Sequence, residues 1–190
     1  MKILGLGAST MEGVGDSGGG FFRRTAEHFA RLDAGHTFVN QGVGGQCVLE
    51  MVERLPAAVA EHPDFVIVLL GCNDLPRAAD PHPQKRTSPE IYRQRLDRIF
   101  STLQGATNWF ITSFAVDEKR TGVDPACFDR YMEQAAEAAR LAGYEIWDLH
   151  RETRHRQAEF LAPDGLHYNA EGHAYMAAGV IERVSAVKIR

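Results

Sequence analysis

The sequence predicts an α/β protein: a five-stranded parallel sheet covered by helices on both faces, a three-layer α/β/α sandwich. Short apolar runs alternate with helical patterns along the whole chain. The run Asp64–Leu70 (DFVIVLL) is continuous, β-branched and apolar, the pattern of a strand buried on both sides. Strands separated by helical stretches pair in parallel, because parallel neighbours need crossover connections.

The first strand lies in Lys2–Glu12, where Ile3, Leu4 and Leu6 precede a turn made possible by Gly5 and Gly7. A glycine-rich loop, Gly13–Gly20, leads to an amphipathic helix over Phe21–Leu32. Thr37–Asn40 is a short second strand that ends in Gly42, Gly44 and Gly45. Val48–Ala60 reads as a helix interrupted by Pro56. After the third strand, Asp64–Leu70, comes a loop over Pro76–Pro89, with Ser88 as N-cap and Pro89 at the first helical position. Helix Glu90–Leu103 aligns Ile91, Tyr92, Leu96, Ile99, Phe100 and Leu103 on one stripe. The fourth strand is Asn108–Ala115, the next helix Asp124–Ala142 with Gly143 as its stop, and the fifth strand Tyr144–Leu149. A polar loop spans His150–His167, and Asn169 caps a last helix over Ala170–Val187.

With 190 residues the chain suits one domain, 1–190, and no linker or repeat divides it. An apolar fraction of 44% and a charged fraction of 24% are those of a soluble globular protein. The net charge of −4 gives no reason to expect nucleic acid or stable membrane association, and the apolar run Phe65–Leu70 is too short to span a bilayer. Cys47, Cys72 and Cys127 form neither an even framework nor a C-x-x-C pair, which favours a reduced, cytoplasmic setting. A strand starting at residue 2 leaves no room for a signal peptide ahead of the fold.

In parallel α/β sheets ligands bind beyond the carboxyl ends of the strands. Ser9 follows the first strand, Gly45 the second, Asn73 the third, and Asp164-Gly-Leu-His167 the fifth. Together they form a chemical set. Acyl transfer by a serine requires a base, a partner that orients the base, and donors for the developing oxyanion. His167 supplies the base and Asp164 reaches its Nδ1 from the same loop. The backbone N–H groups of Ser9 and Gly45 and the side-chain amide of Asn73 supply the donors. Taken singly each has an ordinary reading: Ser9 as a helix cap, Gly45 as a left-handed backbone position, Asn73 as a turn former. Asp74 and Asp148 read as structural, and His150, His155 and His173 lack the combination of carboxylate and position that His167 has.

These residues resemble the GDSL or SGNH hydrolases: Ser9 in GAST, Gly45 in N-x-G-V-G-G, Asn73 in GCND, and Asp164 and His167 in DGLH, in the family's chain order. The resemblance continues through Asn169-Ala-Glu-Gly-His173. It implies a five-stranded flavodoxin-like sheet and cofactor-free, metal-free hydrolysis of a small-molecule acyl ester or thioester through an acyl-serine. One position departs: Ala8 stands where the family carries a supporting aspartate. That change puts rate and rigidity in question more than reaction class and motivates one alternative, an impaired ligand-binding protein; an acyltransferase using the same triad with an alcohol as acceptor is the other.

Other classes fit less well. Gly5-x-Gly7-x-x-Thr10 is half of a dinucleotide fingerprint, without its third glycine and without an acidic residue after Val39-Asn40. The Gly13–Gly20 loop has no lysine for a phosphate loop. Eight histidines are scattered without H-x-x-x-H or H-E-x-x-H spacing, so no metal is expected. Arg151, Arg154 and Arg156 read as a solvated loop that could border the site and favour an anionic substrate. The Gly13–Gly20 and Pro76–Pro89 loops and Arg151–Pro163 are the expected substrate walls.

Overall fold

The computed structural model describes residues 1–76 and 86–187. Among these the strands are β1 (Lys2–Gly7), β2 (Thr37–Gly42), β3 (Phe65–Leu70), β4 (Thr107–Thr112) and β5 (Glu145–Trp147). They form one parallel sheet in the order β2-β1-β3-β4-β5. The chain therefore reverses its direction of winding between β1 and β3. In open sheets of this kind that reversal opens a crevice at the strand ends.

Side-chain alternation along the strands fills two separate cores. Leu4, Leu6, Val66, Val68, Leu70 and Phe110 point to one face, against α3 (Val48–Ala60), α4 (Pro89–Thr102) and α6 (Pro125–Leu141). Ile3, Phe65, Ile67, Leu69, Trp109 and Ile111 point to the other, against α1 (Ser9–Glu12), α2 (Gly20–Arg31) and α9 (Ala170–Ala186). All six residues of β3 are buried, as its uninterrupted apolar run predicts. The three-layer α/β/α sandwich expected from the sequence is the observed architecture.

The helix ends follow local chemistry. Ser88 Oγ accepts the Ile91 N–H at 3.4 Å with Pro89 in the first turn, Asp124 accepts the Ala126 N–H, and Asn169 accepts the Gly172 N–H at 2.9 Å. Gly143 takes φ +83 just past α6, where a side chain would be strained.

Five details depart from the sequence reading. Helix α3 runs through Pro56 rather than breaking there, because the ring sits on an exposed face where the carbonyl it leaves unpaired can be hydrated. Ile91 is 45% exposed and does not join the buried stripe of α4. β4 ends at Thr112 because β5 pairs no further than Ile111, and the Phe114 N–H and Ser113 hydroxyl bond the Tyr168 hydroxyl instead. β5 is cut short when Asp148 accepts the Arg151 N–H and starts α7 (Leu149–Thr153). The expected polar loop 150–167 thus contains α7 and α8 (Gln157–Phe160), and His150 in it is buried against Asp129, with 2.7 Å between His150 Nε2 and Asp129 Oδ1.

Among the described residues no helix is long and apolar enough to cross a membrane, and no group of His, Cys, Asp or Glu side chains is arranged to hold a metal. Cys47, Cys72 and Cys127 are buried and form no disulfide.

Candidate active site

The first contributor is the turn after β1. Gly7 has no room for a side chain: a Cβ there would lie 2.7 Å from Met11 Cβ and 2.8 Å from the Leu69 carbonyl. This close approach lets the chain fold straight from strand into α1. Ala8 occupies the N-cap position of α1 and Ser9 is its first residue, so the Ser9 hydroxyl is not spent on capping. The Ser9 carbonyl accepts N–H groups from Gly13 and Val14 at 3.0 and 2.9 Å. Ala8 itself is 4% exposed and packs in the core with Leu4 and Leu6.

The loop after β2 lies alongside. The Val43 N–H bonds the Gly7 carbonyl at 3.2 Å, and the Gly44 N–H bonds Glu12 Oε2 at 2.7 Å. Gly45 takes φ +74, and among the described residues nothing lies within 4 Å of a side chain built there, so its positive φ is what calls for glycine. From the end of β3, Asn73 Nδ2 donates to the Gln46 carbonyl at 2.9 Å, and Cys47 Sγ donates to the Asn73 carbonyl at 3.3 Å. The Gly45 loop and Asn73 are thereby stitched together across the crevice between β1 and β3. Neighbouring Asp74 is buried, which pushes its carboxyl up to about 6 although the Thr87 hydroxyl and Val48 N–H bond it. It anchors the start of α3, a structural role as expected.

The last contributor is the loop before α9. Asp164 accepts three hydrogen bonds: the Leu166 N–H at 2.9 Å, the His167 N–H at 3.0 Å and His167 Nδ1 at 2.6 Å. Burial raises the Asp164 carboxyl, but the His167 ring and these two N–H groups outweigh it and hold it below the usual carboxylate range. An ionised Asp164 accepts the Nδ1 proton, so Nε2 is the nitrogen left to take a proton. The loop is fastened at both ends. Gly165, at φ +70, packs against Asp117 and Arg120, whose helix is α5 (Glu118–Thr121), and the Tyr168 hydroxyl is held by Ser113 and Phe114.

The serine and histidine segments meet at Gly15. A Cβ there would fall 2.1 Å from the Tyr168 carbonyl and 3.3 Å from His167 Cβ, at φ +97. Among the described residues no hydrogen bond joins the Ser9 hydroxyl to the His167 ring. Such bonds commonly tighten only once substrate is bound.

Several supports escaped sequence reading. Asp16 is 8% exposed and accepts the Gly18 and Gly20 N–H groups and both arms of Arg24, fixing the Gly13–Gly20 loop. Arg54 reaches up from α3 to the Gly7 and Gln41 carbonyls at 3.1 and 2.5 Å. Arg151, Arg154 and Arg156 pair with Glu133, Asp129 and Glu159, so the basic cluster is neutralised. Within the expected wall Pro76–Pro89, residues 77–85 lie outside the described part of the chain.

The fold is that of the SGNH hydrolases. The GDSL-like lipase/acylhydrolase family model matches residues 6–175, and the chain belongs to that family, a class of hydrolases acting on ester bonds. No curated protein matches the sequence. Similar solved structures include a lipase/acylhydrolase from Enterococcus faecalis, at 22% identity over 96% of this chain and 94% of that one, with a TM-score of 0.81. An alpha/beta hydrolase from the metagenome of Lake Arreo is 24% identical over 99% and 96%, with a TM-score of 0.78. An acetylxylan esterase from Geobacillus stearothermophilus is 20% identical over 100% and 96%, with a TM-score of 0.79.

Proposed function

We propose that the protein is a serine hydrolase that cleaves small acyl esters or thioesters through an acyl-serine. Ser9 Oγ attacks the carbonyl carbon and its proton passes to His167 Nε2. The ionised Asp164 stabilises the resulting imidazolium. The tetrahedral oxyanion is held by the Ser9 and Gly45 backbone N–H groups and by the side-chain amide of Asn73. Collapse expels the alcohol or thiol, protonated by His167. A water activated by the same imidazole then releases the acid and restores Ser9.

The observation that carries this reading is the 2.6 Å Asp164–His167 bond in a loop that rests on Gly15, within the segment whose amides hold the Ser9 carbonyl. The fold shared with an acetylxylan esterase supports short acyl groups, acetyl among them. Because the described strands share one sheet, we read 1–190 as one domain, and buried cysteines that form no disulfide support a cytoplasmic setting. The buried, apolar Ala8 favours a second reading, an impaired member kept as a ligand-binding protein.

Fluorophosphonate labelling of wild type and Ser9→Ala, followed by turnover of p-nitrophenyl esters of increasing chain length, tests both. Labelling and turnover that vanish with Ser9→Ala support the hydrolase. Turnover that survives the change removes Ser9 as nucleophile, and a wild type that neither labels nor turns over favours the ligand-binding reading.

A further inference from the structure

His173 has no part in the proposed proton relay, yet it is fully buried beside it. It lies one turn into α9, is 0% exposed, and stacks on Phe21 with ring planes 10° apart. Its two nitrogens do different work. The Phe21 N–H donates to Nδ1 at 3.1 Å, which makes Nδ1 an acceptor and places the ring proton on Nε2. Nε2 then donates to the Val14 carbonyl, also at 3.1 Å. The Val14 N–H in turn donates to the Ser9 carbonyl at 2.9 Å.

The same helix is tied to His167. The His173 N–H bonds the Asn169 carbonyl at 3.0 Å, and Asn169 stands two residues after His167. A continuous run of short contacts therefore leads from the base-bearing loop through α9, His173 and Val14 to the backbone of Ser9. Gly15, next along from Val14, is where the two segments touch.

We propose that His173 is a positioning residue: its Nε2–H bond to Val14 sets the spacing between Ser9 and His167, while its Nδ1 bond to Phe21 only secures the packing of α2. The inference rests on the serine-hydrolase reading. It gives the stretch Asn169-Ala-Glu-Gly-His173 a mechanical purpose, and it offers a source of rigidity at a site where Ala8 provides no polar side chain.

Two amide variants separate the two bonds. His173→Gln carries an N–H₂ group to about where Nε2 stands and can keep Val14. His173→Asn carries a carbonyl oxygen to about where Nδ1 stands and can keep Phe21, but it cannot reach Val14. Each is compared with wild type and Ser9→Ala for urea stability, fluorophosphonate labelling rate, and kcat and KM on p-nitrophenyl acetate. His173→Gln is expected to hold kcat within about threefold of wild type. His173→Asn is expected to lose tenfold or more in kcat and labelling rate, with KM unchanged and stability equal to that of the Gln variant. A purely structural role would make activity follow stability in both, and that result overturns the inference. If the Asn variant does not fold, the Gln variant decides alone, and a tenfold loss of kcat at wild-type stability overturns it. Turnover that survives Ser9→Ala overturns the hydrolase reading and this inference with it. An inactive Ser9→Ala together with equal kcat in the two amide variants overturns the inference alone.

Discussion

Replacing Asp164 by Asn tests the proposed base most directly, because the structure lets its two effects be sized separately. The Asn Oδ1 can still accept the Leu166 and His167 N–H groups, so the loop keeps its shape. What is lost is the charge beside Nδ1, 2.6 Å away in the native pair. With charge centres ~4 Å apart, a protonated ring gains ~4 kcal/mol at an effective dielectric of 20 and ~1 kcal/mol in bulk water. The Asp164 side chain is 50% exposed, which places the gain between these limits, at about 2 kcal/mol or about 30-fold in rate. The second effect adds to the first. An N–H₂ group facing Nδ1 forces the ring proton onto Nε2, where it blocks acceptance of the Ser9 proton; the same change in a serine-protease triad costs about 10⁴-fold. The expected loss in kcat/KM on p-nitrophenyl acetate therefore lies between about 30-fold and about 10⁴-fold, with an unchanged urea midpoint. A variant within threefold of wild type would refute the triad.

Further outcomes follow from the same contacts. Asn73→Ala should lower kcat by about 10²–10³-fold with little change in KM, as expected for a donor that acts on the oxyanion, and steady-state kinetics checks the split. Gly15→Ala puts a methyl group 2.1 Å from the Tyr168 carbonyl at positive φ, and should cost about 3 kcal/mol or more in urea unfolding along with most of the activity. Asp16→Ala removes a buried carboxylate from Arg24; since Arg24 keeps 35% exposure the loss should be about 2–3 kcal/mol, below the fully buried range. The Arg24 guanidinium first, helped by backbone N–H groups, holds the Asp16 carboxyl well below its ordinary 3.8. Its contribution is thus present above about pH 4 and is lost as pH falls further. Urea midpoints measured from pH 7 down to pH 2.5 should show that acid slope in wild type and a flatter one in Asp16→Ala.

Much of the fold could be read from the chain because its strongest signals are local. β3 announces itself by a continuous apolar run, α4 and α9 by N-caps just ahead of their first turns, and α6 by the glycine stop just past its end. Of the proposed site, Ser9, Gly45 and Asn73 stand out because each closely follows a strand, whereas Asp164 and His167 lie beyond α7 and α8 and stand out by their D-x-x-H spacing. What escaped depends on contacts between distant segments. The short helices α7 and α8 have too few turns to show a period, and His150 is buried because Phe128 and Asp129 of α6 meet it. The truncation of β4 is decided by a tyrosine 54 residues away. His173 reads as an ordinary polar residue of a helix until Val14 and Phe21 are seen on either side of it.

The reversal of winding between β1 and β3 has a consequence for how such a protein is made. It draws the Ser9 turn after β1 and the His167 loop before α9 toward one crevice, although they lie far apart in sequence. In the proposed mechanism, a nascent chain that has not yet added the His167 loop would hold Ser9 with no base to take its proton. Under that proposal ester cleavage would begin only once the His167 loop and α9 have docked beside α2, so that folding would itself switch the chemistry on.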